Sequence, residues 1–333
     1  MAHRDRRSPR ILAGIVLVMV LAGVGVAAAV ATIMGNSGEG GLHAKHPSVV
    51  AGPPPTASAP RTQTGWPDGT NTGVPAGTKL SVVKNGLTIR KAGTVIDRKE
   101  IHGDVTILAN KVTINQSRIL GEVTIPYGYE NVRGATVTDT ELNGQRQGLP
   151  NQAQPGISTY GGISCIRCNI HGFNVGVAIN GEQPTLLQDS WVHDIWPPSP
   201  GHKDAVITNG SSNVTIDHNR LSCEVDGCSA AIGMFGDFSA ITNWRVNDNL
   251  LNGGSYCSYS GSLDAKKYPV ASNITWTNNH YGHELYPDCG IYGAATGWSQ
   301  ANGNKWSGNT LDRQASHRGD DPQAAASIPE PEG

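Results

Sequence analysis

The sequence predicts an all-β chain wound as a parallel β-solenoid, and three observations lead there. An eight-position pattern returns through the chain, its step settles to a constant length, and the composition favours turns over surface helices. The clearest copy is Val214-x-Ile216-x-x-Asn219-x-Leu221, within Ser212 to Cys223. Two alternating apolar residues make a short strand, Asn turns the chain, and an apolar residue re-enters the interior.

Earlier copies are Val112-x-Ile114-x-x-Ser117-x-Ile119, Ala135-x-Val137-x-x-Thr140-x-Leu142, Ile163-x-Cys165-x-x-Cys168-x-Ile170 and Thr185-x-Leu187-x-x-Ser190-x-Val192. Later ones are Trp244-x-Val246-x-x-Asn249-x-Leu251 and Ile274-x-Trp276-x-x-Asn279-x-Tyr281, with a degenerate last copy at Trp306, Asn309 and Leu311. From Val214 to Trp244 to Ile274 the step is 30 residues each time. One unit cannot bury its own apolar stripe, so it must stack on copies of itself. Stacked in register, neighbouring coils lie ~4.8 Å apart and like side chains sit above like. Asn219, Asn249 and Asn279 then form an amide ladder, with Ser117, Thr140, Cys168 and Ser190 in that place earlier. A β-sandwich is the competing fold, but its strands carry no eight-position template at so regular a step.

In chain order, four arginines in the first ten residues precede an uncharged run, Ile11 to Met34. Residues 1–34 are expected to be a signal peptide or a transmembrane anchor helix, with the basic end inside the cell. Ala29-Val30-Ala31 has the small residues of a cleavage site. Either way the main domain is exported, held at the membrane outside the cytoplasm or secreted. Residues 35–64, rich in Gly, Pro, Ser and Thr, read as a linker. The β-helix domain is expected over 65–312, with Leu80–Ile89 and Thr94–Ile101 fitting the template poorly and serving as an N-terminal cap. Residues 313–333 lose the pattern and read as a disordered tail.

The formal net charge is -2, which points to neither nucleic acid nor anionic lipid as a partner. Six cysteines in an exported chain favour disulfides. The expected pairs are Cys223–Cys228, closing a short loop, and Cys257–Cys289, about one coil apart. Cys165 and Cys168 are either joined or reduced core residues; a redox or zinc site lacks a second close Cys/His pair.

After each octet the chain crosses back through a second strand, read at Gly176–Ile179, Asp204–Thr208, Ala230–Phe235, Tyr256–Tyr259 and Cys289–Tyr292. The insertions that vary between coils fall at Ile195–Lys203, Glu224–Gly227, Ser262–Tyr268 and Glu284–Asp288, where they wall a groove.

The Asn-Val-Thr-Ile-Asp-His-Asn-Arg-Leu type of coil, repeated over about 110–311, resembles the right-handed parallel β-helix proteins of the pectate-lyase-like superfamily. The run Asn71 to Thr78 and Gly201-His202-Lys203-Asp204-Ala205-Val206 are similar to an exported actinobacterial-type branch of it. The resemblance implies a right-handed β-helix. It also implies a carbohydrate-directed role, since family members include polysaccharide lyases, glycoside hydrolases and non-catalytic surface proteins. Asp204, ahead of Ala205-Val206-Ile207, resembles the start of the polygalacturonase Asn-Thr-Asp motif, whose companion motifs are missing. Ile216-Asp217-His218 resembles part of the pectate-lyase Trp-Ile-Asp-His run, and is also the repeat itself.

The densest polar cluster runs from His193-Asp194 through Trp196 to His202-Lys203-Asp204. In a lyase, His202 is the candidate base and Lys203 the cation that steadies the anion, although a solvated surface lysine is the simpler reading. In a hydrolase, Asp204 is the candidate acid and Asp226 its partner. The simpler reading of His202 and Asp204 is turn capping. Trp196 and Tyr256 are the candidate sugar-stacking residues. Strand alternation from an inward Cys257 places Tyr259 inward and Tyr256 on the groove. His193-Asp194 with Asp204 is a candidate cation site, calcium being the ion it admits, but an isolated His-Asp pair does not specify a metal. His280, His283 and Glu284 read as surface residues. The expected partner is a polysaccharide or cell-surface glycan, bound by a monomer. A non-catalytic glycan-binding or structural surface protein is the alternative.

Overall fold

The computed structural model describes residues 65–145, 154–196, 202–312 and 326–331. The chain visits three sheets in rotation, one short strand in each, and then begins again. The first sheet starts at Ser81–Val83 and has eleven strands, the second starts at Leu87–Ile89 and has nine, and the third starts at Val95–Asp97 and has nine. Every pairing between strands is parallel except the last in the first sheet, where Thr310–Leu311 meets Ala326–Ser327 antiparallel. This is a parallel β-helix.

The octet is the third-sheet strand, the turn and the first-sheet strand. Leu187, Ile216 and Val246 are vertical neighbours, and Val246, Trp276 and Trp306 continue the stack. Val112, Val214 and Ile274 all belong to one buried core. The amide ladder is present. The backbone N–H of Asn219 donates to Asn249 Oδ1 at 2.9 Å, that of Asn249 to Asn279 Oδ1 at 3.1 Å, and that of Asn279 to Asn309 Oδ1 at 3.0 Å. Earlier coils use hydroxyls in the same way. The Cys168 N–H donates to Ser190 Oγ at 3.0 Å, and the Ser117 N–H to Thr140 Oγ1 at 3.3 Å. The residue before each ladder position has a left-handed backbone, from Arg98 (φ 50°) through His218 (53°) to Gly308 (67°). That conformation makes the turn tight enough to aim the next amide at the coil beyond.

Several expectations are corrected. Leu80–Ile89 and Thr94–Ile101 are ordinary coils rather than a cap, paired in register through Val83↔Ile101 and Ile96↔Ile114, with Ile89, Ile96 and Ile101 in the core. The second of them departs from the template at the turn, where Lys99 replaces the small polar residue, and at the first position, where Thr94 replaces an apolar one. Within the tail, Ala326–Ser327 pairs with the last first-sheet strand, the Ile328 N–H donates to the Asn309 carbonyl at 3.0 Å, and Trp306 Nε1 donates to the Ile328 carbonyl at 3.1 Å. That strand covers an edge that would otherwise present unpaired backbone groups. The second-sheet strand read at Cys289–Tyr292 lies at Gly293–Thr296. Residues 1–34 and 35–64 lie outside the described residues; among those described, no helix is long and apolar enough to cross a membrane.

The cysteines form three disulfides: Cys223–Cys228, Cys257–Cys289 and Cys165–Cys168. Cys165 and Cys168 are both nearly inaccessible and sit on core and turn positions of their octet.

Replacing Asn249 by Ala strips the acceptor from Asn219 and leaves the carbonyl of Ile216 without its side-chain donor. A loss of about 2–5 kcal/mol is expected in equilibrium denaturation, from buried polar groups left unsatisfied.

Candidate functional site

At the corner between the first and second sheets, connections of unequal length from successive coils stand together, and there the structure opens a pocket. Four successive coils line it: His202; Val225, Asp226 and Gly227 with Cys228 and Ser229; Gly254 and Ser255 with Tyr259; and Tyr286 with Ile291. Its volume is about 440 Å³. The groove expected from the insertions is therefore present, with three of the four contributing to its wall. The fourth, Ser262–Tyr268, lies after the second-sheet strand Tyr256–Ser260, at the other end of it. It sends Lys266 over the Phe235 ring, 4.9 Å from its centroid and 2.9 Å from Asp237 Oδ2.

Of the candidate acid–base residues, His202 and Asp226 are exposed and share this pocket. The His202 Nδ1 lies 3.2 Å from Ser229 Oγ. Lys203 and Asp204 do not join them at the surface. Lys203 is no solvated charge: it is 2% exposed, and its Nζ donates to the backbone carbonyl of Asp226 at 3.1 Å. It braces the loop that presents Asp226. Asp204 is fully buried, and neither carboxylate oxygen has a well-formed hydrogen bond. Burial pushes its carboxyl well above the ordinary aspartate value of 3.8, with the Ala230 amide opposing. Space for it exists because residue 233 is glycine: a Cβ there would lie 2.6 Å from Asp204 Oδ1 and 2.5 Å from the Phe235 ring. The turn-capping reading of Asp204 therefore also fails.

A chain of aromatic rings crosses the second-sheet face beside the pocket. Phe235 and Tyr259 are 5.1 Å apart by ring centroid, Tyr259 and Tyr256 5.7 Å, and Tyr256 and Tyr292 5.9 Å. Tyr292 is 70% exposed. Tyr256 was expected here, but Tyr259 was expected inside, and that is corrected. The parity argument fails because two consecutive residues, Cys257 and Ser258, both face inward at 0% exposure. The same irregularity runs up the sheet, where register pairs Pro155 with Val175 and Ile157 with Val177, then Asp204 with Ala230 and Val206 with Ile232. The skipped residues, Gly156, Gly176, Ala205 and Ala231, are all small. Burial raises the Tyr259 phenol, helped by the negative charges that Tyr256, Asp204 and Tyr292 would carry.

Sequence reasoning also missed Glu224. It is half-buried, with Oε2 lacking a hydrogen-bond partner, and burial raises its carboxyl to about 7. Trp196 is 38% exposed but does not line the pocket. The candidate cation site is not assembled. His193 belongs to the first sheet, stacked on Trp191 at 3.5 Å and within 2.8 Å of Asn169 Oδ1. Asp204 belongs to the second. Among the described residues no group of three His, Cys, Asp or Glu side chains is placed to hold a metal ion. Asp217 is buried in a cross-coil pair with Asn247, and His218 Nδ1 lies 2.6 Å from Asp189 Oδ1. His280 and His283 meet Asp312, and Glu284 holds Arg220 with both oxygens.

The fold and this corner together define a parallel β-helix with an aromatic and polar groove along one edge. No protein-family model matches the chain, and no curated protein matches it in sequence. Among solved structures it is similar to the Dettilon tailspike protein (gp208), with 16% identity and a TM-score of 0.48. The match covers 70% of this chain and 54% of that one, so this chain spans about half the length of its neighbour.

The buried Asp204 carries a pH signature. Its folded-state affinity for a proton exceeds that of an unfolded aspartate, so its contribution to stability is greatest below the ordinary value of 3.8. That contribution is lost as pH rises from there through the raised native value. Asp204→Asn removes this dependence. Melting curves are expected to show the variant gaining on the parent between pH 4 and pH 8, and a constant difference would contradict the assignment.

Proposed function

We propose that this chain is an exported right-handed β-helix protein of the pectate-lyase-like superfamily that binds a polysaccharide along the second-sheet face and cleaves it at the corner pocket. The observation that carries this reading is the alignment of four aromatic rings, Phe235 to Tyr292, beside a pocket holding two exposed ionisable groups, His202 and Asp226. Ring faces bury the apolar faces of sugars at low conformational cost. His202 transfers the proton, and Asp226 is the carboxylate beside it. Lyase and hydrolase chemistry both begin from that pair, and the product tells them apart. The N-terminal segment holds the domain outside the cell membrane, or is removed to release it, and the domain acts as a monomer.

A second reading is a non-catalytic glycan-binding surface protein. The burial of Lys203 and Asp204 favours it, because it withdraws two of the four candidate acid–base groups from the groove.

Incubation of the full chain with acidic and neutral polysaccharides tests both. Unsaturated ends identify elimination, and new reducing ends without unsaturation identify hydrolysis. Binding without either product supports the second reading, and absence of binding across the panel contradicts both. Tyr292→Ala, at an exposed ring, is expected to weaken glycan binding about tenfold, or about 1.4 kcal/mol, in titration calorimetry.

A further inference from the structure

Ser229 is the one pocket residue whose hydroxyl meets an imidazole, and nothing in the polysaccharide reading uses it. We propose that Ser229 and His202 form a nucleophile–base pair that hydrolyses short acyl esters in the corner pocket. The Ser229 Oγ to His202 Nδ1 distance of 3.2 Å lies at the outer limit for an activated serine. With the proton of the neutral ring on Nε2, Ser229 donates to Nδ1, which is the direction the chemistry needs.

The surroundings fix the serine rather than the histidine. Cys228, immediately before Ser229, is tied to Cys223. Ala230, immediately after it, bridges Gly254 of the next coil. The Ser255 N–H donates to the Ser229 carbonyl at 2.9 Å. Gly254 permits this approach, since a Cβ there would lie 2.7 Å from both the Ala230 Cα and the Ser229 carbonyl oxygen. Ser229 is only 9% exposed, yet it lines the pocket. A nucleophile held by a neighbouring disulfide and by backbone contacts to the next coil loses little freedom when it reacts.

The remaining lining suits an ester. Tyr259 lines the same pocket and burial raises its phenol, so its hydroxyl is a donor available to an oxyanion formed there. Asp226 supplies negative charge in the pocket that receives the imidazolium. Val225 and Ile291 give an apolar wall, and about 440 Å³ accommodates an acetyl or similar short acyl group together with the sugar carbon that bears it.

The reaction balances without a redox partner. Ser229 Oγ bonds to the acyl carbon as its proton passes to His202. The carbon–alkoxide bond breaks, and the imidazolium returns the proton to the leaving oxygen. Water then attacks the acyl-serine, giving its proton to His202, and as the acyl–Oγ bond breaks the imidazolium returns that proton to Ser229 Oγ, releasing the carboxylic acid and restoring the pair. The natural substrate, an O-acylated polysaccharide, rests on the glycan reading above; the ester chemistry does not.

The test uses the full chain with p-nitrophenyl acetate and a fluorophosphonate probe, neither of which contains sugar. Expected results are a phosphonylated Ser229 by peptide mass spectrometry and a loss of about 100-fold or more in turnover for Ser229→Ala and for His202→Gln. His202 is exposed, so its variant reports on chemistry even if the buried Ser229 variant folds poorly. An unlabelled Ser229, with turnover equal in the parent and His202→Gln, overturns the proposal. Ester hydrolysis without glycan binding defeats the glycan reading alone, and glycan cleavage without labelling defeats this one alone.

Discussion

Each coil passes a side-chain acceptor to the backbone of the coil before it, and the fold depends on that hand-over. At the turn between the third and first sheets the backbone runs left-handed for one residue, and the next amide points along the helix axis. Asn249, Asn279 and Asn309 each accept from that amide and from the asparagine side chain of the preceding coil. A buried amide without a partner is costly. The ladder therefore forces register as well as stability: a coil shifted by one residue would lose its acceptor and turn its core residues outward. Ser and Thr do the same with one oxygen in the earlier, shorter coils, each hydroxyl accepting from the neighbouring coil's amide and donating to the carbonyl two residues before it.

Register at that turn fixes everything opposite it. Because the third-sheet and first-sheet strands are locked, variation in coil length is pushed to the other two corners, and at the one between the first and second sheets it shapes the groove. Loops of unequal length there stand side by side from four coils, and the space between them is the pocket. Lys203 shows the connection: a buried ammonium from one coil bonds the carbonyl of Asp226 in the next, so that loop is positioned by the stack beneath it. The disulfide Cys223–Cys228 closes the base of the same loop.

The sequence displayed the ladder side of the molecule well and the groove side poorly, for a physical reason. The octet has strict parity and a conspicuous turn residue, so Val214, Ile216, Asn219 and Leu221 announce their own positions. From Pro155–Thr159 onward the second sheet breaks parity with two consecutive buried residues in a coil, and in the coils before Cys257 the first of the two is glycine or alanine. Strict alternation across Cys257 would turn Tyr259 inward. The pairs Gly156-Ile157, Gly176-Val177, Ala205-Val206 and Ala231-Ile232 held the signal that would have corrected it. Asp204 reads as a polar residue where a loop enters a strand, yet its burial depends on Gly233 a coil away, and no local pattern reports that. His202 and Asp226 were found because exposed loop residues need no register to be noticed. Ser229 was missed because it is one serine among many until its distance to His202 is seen.

The central claim is the stack itself, with one coil per ~4.8 Å along a single axis. All six cysteines are paired, so added cysteines can be spin-labelled selectively. Pulsed dipolar spectroscopy between labels at Lys99 and Thr310, in first-sheet strands separated by eight steps of the strand order, measures the length of the stack. A distance of roughly 38 Å is predicted from the strand spacing, and one below about 25 Å would contradict the account.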